Sequence, residues 1–189
     1  RELGVDLLSI SGHKIHGPKG IGVLYVKKGT RLAPVLYGGG QQDNLRPGTE
    51  NVPGIAGLGV AAKLCHQHMP EATARMAALR QRLEQGICDR IPNVKVNTPE
   101  QCAPHILNIS FGGVRSEVVL HSLENEGIYV SSGSACSKGA QSHVLGSMGC
   151  SLAEIDSALR ISFSKYSDIE QADRFLEGLK EAVSSLRRA

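Results

Sequence analysis

Tryptophan is absent from this chain, and only 3 phenylalanines and 4 tyrosines occur among its 189 residues. So few rings leave little material for the stacking platforms of single-strand nucleic-acid binders. Charge of one sign is not concentrated either. Twenty-one basic side chains against 18 acidic ones give a net charge of +3, and the basic residues are scattered, so a nucleic-acid partner gains no support. No apolar run approaches the roughly 20 residues of a membrane-spanning helix. No CxxC pair and no finger-like ligand spacing occur, which argues against a structural metal site. The five cysteines (Cys65, Cys88, Cys102, Cys136 and Cys150) are odd in number. They read as free thiols in a reducing, intracellular setting. No secretory leader is visible, and the chain opens on Arg1 instead of Met, which reads as a segment cut from a longer polypeptide.

What remains is an ordinary globular balance, 41% hydrophobic and 21% charged. That is enough for one or two modest domains with a core. Short apolar runs at Val5–Ile10 and Gly20–Val26 read as strands around a Gly/His/Lys loop, and Gly38–Glu50 reads as a long polar loop. Pro53 suits a helix start, Pro70 reads as a helix break, and a second helix is expected from Glu71 to Arg90. Strands are expected at 94–96 and 105–111, and a helix from Ser116 to Gly127. One or two helical turns follow Ser142. Ser151–Glu154 and Ser167–Glu170 have capping-box spacing, the second opening a helix to about Arg187 with the stripe Ile169, Ala172, Phe175, Leu179, Val183, Leu186. Between the boxes, Leu159, Ile161 and Phe163 alternate with Arg160, Ser162 and Ser164, so Arg160 should project from the polar side of a strand. The composition shift near residues 60–70 divides the chain into 1–62 and a C-terminal α+β part, 63–189.

Three side chains carry the chemistry. Lys14, in Ser11-Gly-His-Lys-Ile-His-Gly17, sits between glycines that let a ligand approach the backbone, as a Schiff-base lysine requires. Ser11 and His13 could donate to a phosphate. A lone loop lysine is ordinarily just solvated. Cys136, in Ser131-Ser-Gly-Ser-Ala-Cys-Ser137, lies in a polar run that favours the reactive thiolate, although a bystander thiol fits the same run. Arg160 offers a planar fork to a carboxylate, or to a surface ion pair. Arg46 and Thr49 in the long loop could meet a phosphate. His16 and His105 could neighbour a site, whereas His66, His68, His121 and His143 read as structural or solvated.

The order SGHKIHGPKGIGVLYV, GGGQQDNLRPGTEN, SSGSACS, LRISFS resembles the NifS/IscS-type cysteine desulfurases, in the class V aminotransferase group. The resemblance covers essentially the whole chain. It implies an α/β architecture, the pyridoxal-phosphate-dependent transferase fold of type I, with residues 1–62 as the end of the large domain and 63–189 as the small domain. It implies that Lys14 holds pyridoxal 5'-phosphate, that Ser11, His13 and Thr49 bind its phosphate (Thr49 across a homodimer interface), that Arg160 clamps the carboxylate of L-cysteine, and that Cys136 accepts the sulfur. An iron-sulfur scaffold or another sulfur-acceptor protein is the implied partner. The implied compartment is the cytoplasm, with a mitochondrial one also open. The ring-binding residues of such enzymes lie upstream of the part matched here, so this segment alone is expected not to turn over. Two other readings fit the motifs: a docking module for a sulfur acceptor, and a related pyridoxal-phosphate lyase such as a selenocysteine lyase.

Overall fold

The computed structural model describes residues 3–132 and 142–188. The chain divides into two compact units, Arg1–Met69 and Pro70–Ala189.

In the first unit, β1 (Leu7–Ser11) pairs antiparallel with β2 (Gly22–Val26), in a register running from Leu7 opposite Val26 to Ser11 opposite Gly22. The ribbon is apolar on both faces, and Leu7, Leu8, Ile10, Val23, Leu24 and Tyr25 are all exposed. The first turns of α1 (Val52–Arg90), where Leu58 and Ala61 are buried, pack against the turn that joins the two strands. Glycines permit this approach. A Cβ on Gly57 would lie 2.6 Å from Pro18 Cγ, and one on Gly17 3.3 Å from Ala61 Cβ. Asn51 caps α1, its side-chain oxygen accepting from the Gly54 N–H at 3.1 Å.

Helix α1 does not break at Pro70, contrary to the sequence expectation: it runs unbroken through that residue. A proline inside a helix costs about 3 kcal/mol. Here it is flanked by strong helix formers (Leu64, Gln67 and Met69 before it, Glu71, Ala72 and Ala74 after it) that hold the helix on both sides.

The second unit is built on an antiparallel sheet in the order β3 (Val94–Val96), β4 (Ile106–Phe111), β5 (Ala158–Ser162). One face is apolar. Leu107, Ile109 and Phe111 of β4 and Leu159 and Ile161 of β5 are buried against α1, α2 (Ser116–Asn125) and α5 (Ile169–Leu186). Ser116 begins α2 as expected but does not cap it; the cap position is Arg115, which makes no side-chain cap bond. The other face is polar. Lys95, Asn108, Ser110 and Arg160 project there, and α3 (His143–Ser147) and α4 (Leu152–Asp156) cover one end through Leu145, Ile155 and Ala158. Ser110 Oγ donates to the Glu154 carbonyl at 2.7 Å and accepts from Asn97 Nδ2 at 2.7 Å, so this buried hydroxyl is satisfied.

The capping box at Ser151 and Glu154 forms as read. The second box is shifted by one residue: Asp168 caps α5 and pairs with Gln171, while Ser167 Oγ instead accepts from the Ser164 N–H. The buried face is wider than the stripe read from the sequence and begins a turn later, at Ala172. Ile169 is exposed, and Leu176 and Ala182 join Phe175, Leu179 and Val183 in the core. Among the described residues between α2 and α3, Ser131 makes a single bridge to β5. Helix α5 is fastened to α1 by Arg82–Asp173 and Arg90–Glu177 ion pairs. At its end, Arg187 donates to the carbonyls of Gly112, Pro92 and Asn93.

Two predictions follow from this packing. A Cβ on Gly86 would lie 2.6 Å from Cδ2 of the buried Leu176. Overpacking of this kind costs about 1–3 kcal/mol, against about 1 kcal/mol gained in helix propensity. Gly86→Ala should therefore lower the chemical-denaturation midpoint; a raised midpoint would mean that Leu176 moves aside. The second concerns pH. The hydrogen bond from Lys95, then the Ser151 N–H, holds the Glu154 carboxyl below the usual carboxylate range. Its contribution to the α4 cap is full above the ordinary carboxylate pKa and is lost as pH falls through the depressed one. The amide-exchange protection factors of Ser151 and Glu154, taken relative to the unfolded chain at each pH, should fall over that acid window, and less so in Lys95→Met.

Candidate functional site

At the end of β1 the chain enters a 3-10 turn, Gly12–Ile15. The Gly12 N–H donates to the Ile21 carbonyl at 2.9 Å, and the Gly17 N–H to the Gly12 carbonyl at 2.9 Å. Gly12 is buried, and a Cβ there would lie 2.9 Å from both Cγ2 and O of Ile21. His16 closes the turn in the left-handed region at φ 64°. The result is a tight backbone pressed inward and side chains pressed outward. Ser11, His13 and Lys14 are all exposed. Ser11 stands at the cap position, but its hydroxyl does not cap. None of the three side chains bonds to a described residue. An uncommitted hydroxyl, imidazole and primary amine within four residues suit a phosphorylated aldehyde: donors for the phosphate and an amine for the carbonyl carbon.

The loop at 38–50 holds its shape through its own polar groups. Gln42, Asp43 and Asn44 have φ of 51°, 54° and 62°, three left-handed residues in succession. Each costs about 1–2 kcal/mol for a side chain with Cβ, least for Asn and Asp. The Gly48 N–H donates to Gln41 Oε1 at 3.1 Å, and Gln42 Nε2 to Glu50 Oε1 at 3.0 Å. Arg46 folds back onto the Pro47 carbonyl. Thr49 is exposed, and its hydroxyl makes no bond to a described residue.

Arg160 belongs to the second unit. It lies on the polar face of β5, opposite Asn108 of β4, and is half-buried. Its Nη2 donates to Ser131 Oγ at 3.3 Å. Its Nε is buried with no acceptor, and no carboxylate among the described residues pairs with it. A buried, unsatisfied donor on a charged group costs about 1–3 kcal/mol or more. The geometry therefore leaves a cation in want of an anionic acceptor.

Cys136 lies outside the described residues. The described cysteines 65, 88, 102 and 150 are free thiols. Burial, then Glu84 and Asp89, pushes the Cys88 thiol up, away from reactivity. Among the described residues no group of three His, Cys, Asp or Glu side chains could hold a metal ion. An open groove of about 360 Å³ in the second unit is lined by Lys95, Ser110, Arg115, Glu154 and Asp156 among others; none of the candidate site residues lines it.

Residues 1–175 match the family described as Aminotransferase class-V. The chain belongs to the class-V aminotransferase family. Enzymes of this family, the cysteine desulfurases among them, depend on pyridoxal phosphate. The chain is 45% identical over 190 residues to a cysteine desulfurase of Gluconacetobacter diazotrophicus, covering 99% of this chain and 48% of that protein. It is 46% identical over 186 residues to a cysteine desulfurase of Nostoc sp., covering 97% and 46%. The cysteine desulfurase IscS of Clostridium botulinum is 40% identical over 192 residues, covering 99% and 48%. Among solved structures, a NifS-like protein superposes with a TM-score of 0.87 at 37% identity, covering 97% of this chain and 48% of that one. A NifS-like protein from Rickettsia africae gives 0.86 at 32% identity, covering 96% and 48%. The chain spans about half the length of the curated relatives it matches. The α/β fold implied by the motifs is the fold of these class-V neighbours.

In the sequence Ser131, the hydroxyl bonded to Arg160, is one more small residue in a polar run. The period-2 pattern of β5 marked Arg160 itself, but nothing local marks a bridge formed across 29 residues. The turn at Gly12 yields a paired test. Gly12→Ala should destabilise the first unit by about 1–3 kcal/mol, because the Ile21 carbonyl cannot yield without losing its hydrogen bond. Gly59→Ala, a helical position with open space around it, should stabilise α1 by up to about 1 kcal/mol. Thermal unfolding distinguishes the two signs; equal effects would remove the steric argument.

Proposed function

We propose that this chain is the part of a cysteine desulfurase that carries its lysine, its carboxylate clamp and its sulfur-accepting thiol. The observation that carries the reading is Arg160: a half-buried guanidinium on a rigid strand, with a buried Nε that lacks an acceptor and no ion-pair partner among the described residues. An α-amino acid carboxylate is the ligand such a group is suited to take. Identity of 40–46% to proteins named cysteine desulfurase supports the choice of L-cysteine as that amino acid.

In this reading Lys14 holds pyridoxal 5'-phosphate, and Ser11 and His13 donate to its phosphate. When bound, that group supplies an electron sink for the bonds at the substrate Cα. Arg160 fixes the substrate carboxylate and so orients Cα. The Lys14 amine takes and returns protons at Cα and Cβ. The Cys136 thiolate attacks the substrate sulfur, the Cβ–S bond breaks with its electron pair going to carbon, and Cβ is reprotonated. The atoms balance: L-cysteine and a thiol become L-alanine and a persulfide on Cys136, with no outside oxidant. The persulfide would pass to an iron-sulfur scaffold or another acceptor protein.

A homodimer is part of this reading, with Thr49 donated to the partner's phosphate site. The adjoining run Val35, Leu36, Tyr37, exposed by 91%, 56% and 84%, supports an interface there. A cytoplasmic setting accords with the free thiols; none of the described helices is long and apolar enough to cross a membrane.

The test uses the full-length protein loaded with cofactor. Incubated with L-cysteine, it should release L-alanine and gain one sulfur atom on the peptide containing Cys136. Lys14→Ala should lose about 10²-fold or more in rate. Arg160→Ala should raise KM for L-cysteine about 10- to 100-fold, the worth of a charge-assisted pair. A Cys136→Ser form that released alanine at the wild-type rate without reductant would sink the assignment.

A further inference from the structure

We propose that Ser131 is the positioning residue of the Arg160 carboxylate clamp. The inference rests on the carboxylate-binding role proposed for Arg160.

The two residues are joined three times. Their backbones form an antiparallel bridge, with the Arg160 N–H donating to the Ser131 carbonyl at 2.7 Å and the Ser131 N–H to the Arg160 carbonyl at 3.2 Å. The Ser131 hydroxyl then accepts from Arg160 Nη2 at 3.3 Å. No other described side chain bonds to this guanidinium. Asn108, directly opposite on β4, has its amide oxygen engaged by Asn97 Nδ2 at 2.8 Å. So the orientation of a long, flexible cation depends on one hydroxyl.

The chemistry of that partner matters. A carboxylate in its place would neutralise the cation and compete with the ligand. A hydroxyl is neutral, takes one Nη2 hydrogen, and leaves the other Nη2 hydrogen, Nη1 and the full charge for the ligand. A side chain held in its binding rotamer before the ligand arrives loses less freedom on binding, which is where preorganisation gains affinity. The backbone bridge sets the distance between the two residues, and the hydroxyl sets the plane of the fork. Ser131 thus acts through Arg160 and need not touch substrate.

The test is binding without turnover, on the full-length holoprotein, by titration calorimetry. L-alanine, which has the carboxylate, is compared with ethylamine, the same amine without it. Ser131→Ala should weaken L-alanine about fivefold, the worth of one hydrogen bond, and leave ethylamine binding within about twofold. Ser131→Thr, which keeps a hydroxyl and suits a bridge, should restore L-alanine affinity, and Ser131→Asp should weaken it more than alanine does. Arg160→Ala is the reference. If it leaves L-alanine affinity unchanged, the clamp reading itself fails and this inference with it. If Arg160→Ala weakens L-alanine but Ser131→Ala does not, only the Ser131 assignment fails. Equal losses for ethylamine and L-alanine in Ser131→Ala, or no recovery in the threonine form, would show a merely structural residue and overturn the proposal.

Discussion

Successive side chains of a strand must point to opposite faces, and the second unit depends on how β4 and β5 use that rule. Leu107, Ile109, Phe111, Leu159 and Ile161 take one face and are buried there to 5% exposure or less. Asn108, Ser110 and Arg160 are thereby committed to the other. A charged group is held beside a packed core without entering it. The helices bury the first face, and α3 and α4 close only one end of the second, through Ala158 and Ser110. A slip of one residue in the β4–β5 register would exchange core and polar face together, so the placement of Arg160 is as strongly determined as the core itself.

The same logic governs the turn after β1. Its glycines are present because the backbone must pass within hydrogen-bond distance of Ile21 and within van der Waals reach of Leu58. That inward pressure leaves only outward directions for Ser11, His13 and Lys14. Close packing and ligand access are two aspects of one constraint: backbone atoms inside, functional atoms outside.

Much of this was legible in the sequence, and the exceptions have local causes. Period-2 alternation located β5 and the face of Arg160. Gly127, in the left-handed region at φ 73°, ends α2 where a glycine stop was read. Pro70 misled because propensity is a weak prior that long flanking helix overrides. The α5 cap was misread by one residue because Ser167 and Asp168 both have a partner three positions on, and only the aspartate side chain reaches its N–H. Asn51 and Ser131 are inconspicuous in the sequence for opposite reasons: one stands close to a proline that already marks the helix start, and the other acts through a contact distant in sequence. Motif order, more than any one residue, pointed to the class-V family.

The β1–β2 ribbon has a consequence for handling the protein. Two strands alone are marginal in water. Here both faces carry exposed leucine, isoleucine, valine or tyrosine, and among the described residues no third strand pairs with either edge. Such an edge is a template for further strands. Held at high concentration without a covering surface, the ribbon would recruit its like. Solution studies of this chain therefore call for dilute samples, where colloidal self-pairing is slow compared with measurement.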